Sequence, residues 1–242
     1  MATPRAKKKF GQHFLNDRNI IKKIVEAAGV KQGDLVLEIG PGTGMLTREL
    51  LDTGARVVAV EVDRDLIALL ANLPYYISGP LLSKLLTERA AFSIMVLMFQ
   101  KEVAVRIAAG PGNRDYGNLS VLSQAFTDVK REFDVPAHLF SPKPKVDSSV
   151  VSFRVLEEPK IKMDDESYFR TVVRAAFGTR RKTLSNSLSA LGLAKADTLA
   201  ALQEAGVDPV RRGETLDLNE FARLAHALYL KAHPMKNPGT LP

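Results

Sequence analysis

The run DLVLEIGPGTG, from Asp34 to Gly44, joins an apolar stretch to a cluster of three glycines. A short apolar run of this kind predicts a strand, and the glycines predict a tight loop at its carboxyl end. We expect a helix next, over about 45–53, and a second apolar strand in ARVVAVEVD, residues 55–63. Strand, loop, helix and strand in this order indicate a parallel sheet covered on both sides.

The flanking segments continue this α/β pattern. Asp17 is predicted to cap a helix over 18–28, and FSIMVLMFQ, residues 92–100, predicts another central strand. GNLSVLSQAFTDVKREFDV, residues 117–135, predicts a helix followed by a strand, and residues 142–156 predict an extended pair near the sheet edge. Beyond them the pattern is helical, over about 167–177, 183–191, 195–205 and 219–232. The sequence therefore predicts an α/β domain over residues 1–157 and an all-helical domain over residues 158–242.

The amino-acid composition excludes several classes of function and indicates a kind of partner. The chain has 242 residues and no cysteine, which excludes disulfides, thiolate metal sites and cysteine nucleophiles. Its longest apolar run, residues 92–99, is too short for a membrane span, so we expect a cytoplasmic protein without a membrane partner. The formal net charge is +7, with six basic and no acidic residues from Ser167 to Ala196. Such a cluster indicates a polyanion partner, and a merely solvated face is the alternative.

The glycine loop has an acidic partner further along the chain. Gly40, Gly42 and Gly44 let a ligand approach the backbone, and no Lys-Ser/Thr follows as in a phosphate loop. Glu61, at the end of the second strand, is placed to accept both ribose hydroxyls of a nucleoside cofactor. The alternative is a tight turn with a solvated glutamate. An E-x-G-x-G-x-G loop with this carboxylate resembles S-adenosylmethionine-dependent methyltransferases.

Four further motifs make the resemblance specific. They are NLPY at 72–75, KKKFGQHFLND at 7–17, SPKPKVDSSVV at 141–151 and FGTRRKTLSNSL at 177–188. With the glycine loop they span nearly the whole chain, which resembles the small-subunit ribosomal RNA adenine dimethyltransferase family. The resemblance implies a Rossmann-like α/β methyltransferase domain with a small helical C-terminal domain. It also implies conversion of two adjacent adenosines in the 3′-terminal stem-loop of 16S rRNA to N6,N6-dimethyladenosine, and a role in small-subunit biogenesis.

The resemblance assigns roles to residues at the NLPY corner. The Asn72 side-chain oxygen and the backbone carbonyl of Leu73 or Pro74 would accept the hydrogens of adenine N6. Tyr75 would stack on the extruded base. Tyr76 is a candidate second wall and Phe140 a candidate for the opposite face of the base, with ordinary core packing as the alternative for both.

The resemblance also implies the binding partners. S-adenosylmethionine would be held by Gln12, His13, Leu15, Gly40, Gly42, Gly44, Glu61 and Asn72, leaving S-adenosylhomocysteine as product, and no metal is expected. 16S rRNA in the immature small subunit would be held by Lys143, Lys145, Arg180, Arg181 and Lys182. We expect a monomer.

The sequence departs from the family between Asp63 and Asn72, where only eight residues remain. A parallel crossover takes a dozen or more residues, so eight cannot leave one strand, form a helix and return as another. We expect that roughly 30 to 40 residues, the scale of a βαβ unit, are missing between Leu70 and Ala71. They would include an acidic contact to the cofactor adenine.

Two kinds of rival function remain. One is a related enzyme, a large-subunit rRNA adenine methyltransferase of the resistance type or a DNA adenine methyltransferase. The other is an assembly or transcription factor that keeps the fold and binds RNA without catalysis. The segments at 142–151 and 177–188 favour the small-subunit enzyme, and an intact NLPY corner argues against a binding protein.

Overall fold

A computed structural model of the chain describes residues 13–60, 78–179 and 181–234. These residues divide into two compact units, one formed by 1–105 with 128–155 and the other by 106–127 with 156–242. The second unit therefore takes in a segment that precedes the last strand of the first unit. The predicted boundary between residues 157 and 158 stays a prediction.

The first unit contains the strands and the helices that flank them. Its helices are α1 (Arg18–Ala28), α2 (Met45–Asp52), α3 (Ser78–Thr87) and the start of α4 (Lys101–Ala108). Its strands are β1 (Phe14–Leu15), β2 (Leu35–Ile39), β3 (Arg56–Val60), β4 (Ile94–Gln100), β5 (Thr127–Val135, whose first residue lies in the second unit), β6 (Phe140–Ser141) and β7 (Ser148–Val155). Short 3₁₀ turns cover Arg89–Ala91 and Ala137–Leu139.

Helix α1 and strands β2 and β3 form as the sequence predicts. The Asp17 carboxylate accepts the backbone N–H groups of Asn19 and Ile20, which caps α1 at its first turn. Strands β2 and β3 pair in parallel, with Leu35 opposite Arg56 and Ile39 opposite Val60. The prediction that this sheet is covered on both sides is wrong for the described residues, because Leu35 and Val58 remain 67% and 51% exposed.

Strands β4, β7 and β5 form a second sheet in that order, with β4 and β7 antiparallel, and β1 pairs with β6 in a separate two-stranded sheet. Among the described residues β4 is therefore an edge strand, not the predicted central one. Among the described residues the predicted extended pair near the sheet edge is also not found, because residues 142–156 contribute one strand, β7, which lies between β4 and β5 and whose first six residues are buried. Its serines tolerate burial because they find acceptors: the Ser152 hydroxyl donates to Glu132 at 2.6 Å, and that of Ser149 to Asp134 at 2.8 Å.

The second unit is built from helices packed around α6 (Glu166–Phe177). It also contains α5 (Asn118–Phe126), α7 (Leu184–Ser187), α8 (Lys195–Glu204), α9 (Leu218–Ala232) and 3₁₀ turns at Leu188–Leu191 and Gly213–Thr215. Helix α6 contacts α5 and α9, and Phe169, Phe221 and Leu224 are fully or almost fully buried. A capping box fixes the start of α9, where Asp217 and Glu220 exchange hydrogen bonds of 2.8 and 2.9 Å.

Gly213 allows the turn before α9 to approach α6 closely. A Cβ at this buried position would lie 2.8 Å from the backbone oxygen of Ala176. Gly213→Ala is expected to destabilise the protein by about 1 to 3 kcal/mol, because a backbone atom must move to make room. The measurement is the urea midpoint of unfolding, with Gly110→Ala as the control, since a Cβ there meets nothing within 4 Å. Equal midpoints for the two variants would show that the close approach does not limit stability.

Candidate active site

The glycine loop lies at the carboxyl end of β2, where open α/β sheets bind ligands. Gly40, Gly42 and Gly44 have φ values of +70°, +65° and +75°, which side chains other than glycine rarely adopt. The Gly40 N–H donates to the carbonyl of Val60 at 3.0 Å, so the loop begins beside the end of β3. Glu61, the next residue in the sequence, lies outside the described residues. The loop then feeds α2, whose first residue is Met45.

Glu38 is a candidate site residue that the sequence analysis did not select. Its side chain is only 5% exposed, and neither carboxylate oxygen has a hydrogen-bond partner among the described residues. Burial raises the pKa of the Glu38 carboxyl, and the Thr47 hydroxyl nearby opposes that rise without the geometry of a hydrogen bond. A buried carboxylate without a partner is costly, so it marks a place for a cationic group. Its position as the first letter of EIGPGTG was the signal that could have found it.

A cavity of about 510 Å³ lies between β2 and β4. Consecutive residues of both strands line it, and the two strands are not hydrogen-bonded to each other in the described parts of the chain. Its other walls are mainly apolar side chains of α1 and α3, among them Val25 and Leu85. Among the described residues, two strand edges without a partner strand and apolar walls are features of a gap in a sheet, and Glu38 is an acidic lining residue whose carboxylate lacks a hydrogen bond there.

Several predicted site residues meet where β1 pairs with β6. Phe14 lies opposite Ser141 and Leu15 opposite Phe140, and the Asn16 N–H donates to the Leu139 carbonyl at 3.3 Å. Phe140 is 4% exposed and packs with Val135 and Val150, which favours its core role over stacking on a base. The His13 ring nitrogen Nδ1 lies 2.6 Å from the carbonyl oxygen of Pro142. The N-terminal segment is thus joined to the start of the PKPK loop, residues 142–145.

The PKPK loop is anchored while its lysines remain accessible. Pro144 is buried, whereas Lys143 and Lys145 on either side of it are exposed. Beyond the loop, Asp147 accepts the Lys101 N–H through its backbone carbonyl at 3.0 Å and the Ala137 N–H through its carboxylate at 2.9 Å. The loop therefore exposes two lysine side chains, and hydrogen bonds of Asp147 hold the backbone that follows them.

The second unit carries the other predicted cations. Arg181 and Lys182 are exposed and form no ion pair with the described acidic residues, while Arg180 lies outside the described part of the chain. Arg170, which the sequence analysis counted in the basic cluster, is only 7% exposed. Its guanidinium donates to Glu166 at 2.8 and 2.9 Å and lies 4.8 Å from the centre of the Phe126 ring. Arg170 thus stabilises the helical core and is not part of the exposed cluster.

The central corner of the predicted site is not described. Besides Glu61 and Arg180, the predicted residues outside the described ranges are Gln12, Asn72, Leu73, Pro74, Tyr75 and Tyr76. In residues 13–60, 78–179 and 181–234, no cluster of three or more metal-ligating side chains occurs. Within the same ranges, no helix is long and apolar enough to cross a membrane.

The fold is that of a Rossmann-like α/β methyltransferase. The chain belongs to the ribosomal RNA adenine dimethylase family, whose sequence model matches residues 3–71 and 67–228. The expected family and fold class are thereby confirmed.

Individual relatives cover most of the chain. It is 44% identical to the ribosomal RNA small subunit methyltransferase A of Syntrophotalea carbinolica, over 93% of this chain and 97% of that protein. It is 45% identical to the protein of the same name from Pelotomaculum thermopropionicum, over 90% of each chain. Among solved structures, a dimethyladenosine transferase from Plasmodium falciparum matches with a TM-score of 0.76 and 28% identity, over 91% of this chain and 98% of that one. The 23S rRNA methyltransferase ErmE matches with a TM-score of 0.65 and 25% identity, over 89% and 99%.

The alignments also bear on the short stretch before Asn72. The two parts of the family match meet at residues 67–71, where the sequence predicts a missing segment. Against the Syntrophotalea carbinolica protein, 93% of this chain, about 225 of its 242 residues, is spread over 256 aligned positions. About 31 of those positions, 256 less 225, therefore have no counterpart in this chain.

Proposed function

We propose that the protein transfers methyl groups from S-adenosylmethionine to N6 of two adjacent adenosines in the 3′-terminal stem-loop of 16S rRNA. The products would be N6,N6-dimethyladenosine and S-adenosylhomocysteine, and the reaction would serve small-subunit biogenesis. The observation that carries the proposal is the match to the family and its relatives along nearly the whole chain. The proposal takes the natural chain to carry the segment that is missing between Leu70 and Ala71.

The described residues fit the proposed cofactor. S-adenosylmethionine carries an ammonium group, which would be compensated by the carboxylate of Glu38, a group without a hydrogen-bond partner among the described residues. The positive-φ glycines at 40, 42 and 44 let the backbone approach a ligand without steric conflict. Gln12, Leu15 and the backbone of His13 would contact the methionine end, Glu61 the ribose hydroxyls, and Asn72 would border both cofactor and base. When bound, the cofactor supplies an activated methyl group.

The NLPY corner would make adenine N6 reactive. The nitrogen lone pair is delocalised into the ring, so N6 is a poor nucleophile until it becomes tetrahedral. The side-chain oxygen of Asn72 and the carbonyl of Leu73 or Pro74 would accept the two N6 hydrogens and stabilise the positive charge that develops on nitrogen. Tyr75 would stack on the base, a contact worth about 1 to 3 kcal/mol, with Tyr76 as a second wall.

Methyl transfer also requires that the reacting atoms be aligned. The chain would hold N6 in line with the methyl carbon and the sulfur, because correct alignment of the reacting atoms lowers the barrier. The methylated nitrogen is acidic and loses its proton to water, so the proposal needs neither a strong base nor a metal.

Five basic residues would position the RNA. Lys143 and Lys145 in the first unit and Arg180, Arg181 and Lys182 in the second would contact phosphates, which orient RNA without reading its sequence. Selection would come from the shape of the folded loop in the immature subunit. We further propose that the protein acts as a cytoplasmic monomer without a membrane partner.

Binding to small subunits is expected to weaken steeply with salt, because each phosphate contact releases counterions. Replacing Lys143 and Lys145 together by alanine should lower the slope of log K against log salt by about 1 to 2. The measurement is a binding titration at several salt concentrations. The control is Lys84→Ala, because Lys84 is already paired with Glu88 at 2.6 Å. If the affinity for small subunits did not change with salt concentration, the basic clusters could not be the RNA-binding residues.

The proposal is tested by tritium transfer from S-adenosylmethionine to small subunits that lack these methyl groups. Label is expected in small subunits and not in large ones, which also separates the proposal from a 23S-directed activity like that named for ErmE. A second candidate is an assembly factor that binds RNA without catalysis, and the roughly 31 positions without a counterpart favour it. Tight binding without any label would support that candidate instead.

A further inference from the structure

The contact between His13 and Pro142 joins two parts of the proposed site. Pro142 opens the PKPK loop, and His13 immediately precedes β1. A carbonyl oxygen only accepts hydrogen bonds, so at 2.6 Å the ring nitrogen Nδ1 must carry the hydrogen and donate it. The backbone bond from Asn16 to Leu139 and the pairing of β1 with β6 lie beside this contact.

We propose that the His13 side chain is a positioning residue that holds the PKPK loop for RNA. This inference rests on the proposed function for the role of the loop. The ring would act on Lys143 and Lys145 through Pro142, and contact with the cofactor would be left to the backbone of the N-terminal segment. Replacing the His13 side chain should therefore weaken RNA binding and leave cofactor binding unchanged.

The hydrogen bond from His13 to Pro142 explains how a histidine can hold the PKPK loop without acting as an acid or base. The required group is one N–H donor, two bonds beyond Cβ, that points at the Pro142 carbonyl. The side-chain amide of asparagine places its N–H₂ at the same distance along the chain, so it can make the same bond. Alanine cannot, and the loop would then lose one of the bonds that fix its start.

The first test measures steady-state kinetics and cofactor affinity for three variants. His13→Ala is expected to raise KM for small subunits about two- to tenfold, the range for one lost hydrogen bond, with the Kd for S-adenosylmethionine unchanged. His13→Asn should restore the wild-type KM. His138→Ala is the matched control, because His138 is an exposed histidine in the same unit. A fall in cofactor affinity as large as the rise in KM, or no rescue by asparagine, would overturn the proposal.

The second test does not depend on activity. Trypsin cleaves poorly before proline, so Lys145–Val146 is the tryptic bond of the loop. His13→Ala should speed cleavage at this bond about two- to tenfold, as identified by mass spectrometry, because the loop opens more often. Cleavage at the wild-type rate would overturn the inference. If the wild-type protein transferred no methyl group, the proposed function would fail, and the cleavage rate would still decide the role of His13.

Discussion

A chain of these 242 residues alone is expected to transfer methyl groups about a hundredfold or more slowly than one to which the segment inferred to be missing has been added. The restored chain would carry the corresponding residues of the Syntrophotalea carbinolica relative between Leu70 and Ala71. The physical reason is the gap between β2 and β4, where two strand edges face a cavity of about 510 Å³. A parallel strand in this gap would end at the height of the glycine loop and fix the NLPY corner beside it.

The measurement is the initial rate of tritium transfer to unmethylated small subunits at saturating cofactor. An insertion of the same length composed of glycine and serine is the control, since it adds reach without an apolar strand. Equal rates for the 242-residue chain and the restored chain would contradict the expectation. The natural protein should also have an intact mass above the 26.5 kDa of these residues. A mass of 26.5 kDa would show that the shorter chain is the natural one, and the same loss of about a hundredfold or more in rate would then be expected of the natural protein.

Asn72→Ala is expected to lower the rate of methyl transfer about 100- to 1000-fold, the range for removing one oriented group that stabilises transition-state charge. KM for small subunits should change little, because the exposed cations at 143, 145, 181 and 182 are untouched. The comparison is made in the chain with the segment restored. Asn219→Ala is the control, since it makes the same chemical change at an exposed position of α9. Labelling by Asn72→Ala at the wild-type rate would remove Asn72 from the mechanism.

Local signals in the sequence predicted much of the fold. Asp17 before an amphipathic run gave the start of α1 at Arg18, and the glycines after Ile39 gave the end of β2. These features depend on residues close together in the chain, so the sequence contains them directly. Strand order depends on distant partners. The buried hydroxyls of Ser149 and Ser152 bond to β5, and nothing in the run SSVVSF reveals those acceptors.

The candidate site was predicted in part. Motifs predicted the glycine loop, but the burial of Glu38 depends on how the first unit packs, which the spacing of residues in the sequence does not show. The basic run from 167 to 196 gave Arg181 and Lys182, but it also included Arg170, which the structure pairs with Glu166 inside the helical core. Charge counts alone cannot separate an exposed cation from a buried, paired one. The bond from His13 to Pro142 links residues 129 positions apart and has no sequence signal.

The central claim is that this protein dimethylates adenine N6 in 16S rRNA. The most direct measurement is to label unmethylated small subunits with tritiated S-adenosylmethionine, digest the RNA to nucleosides and identify the labelled product. We expect N6,N6-dimethyladenosine from two adjacent positions in the 3′-terminal stem-loop. Label in a nucleoside other than N6,N6-dimethyladenosine and its singly methylated intermediate, or in 23S rRNA, would contradict this expectation.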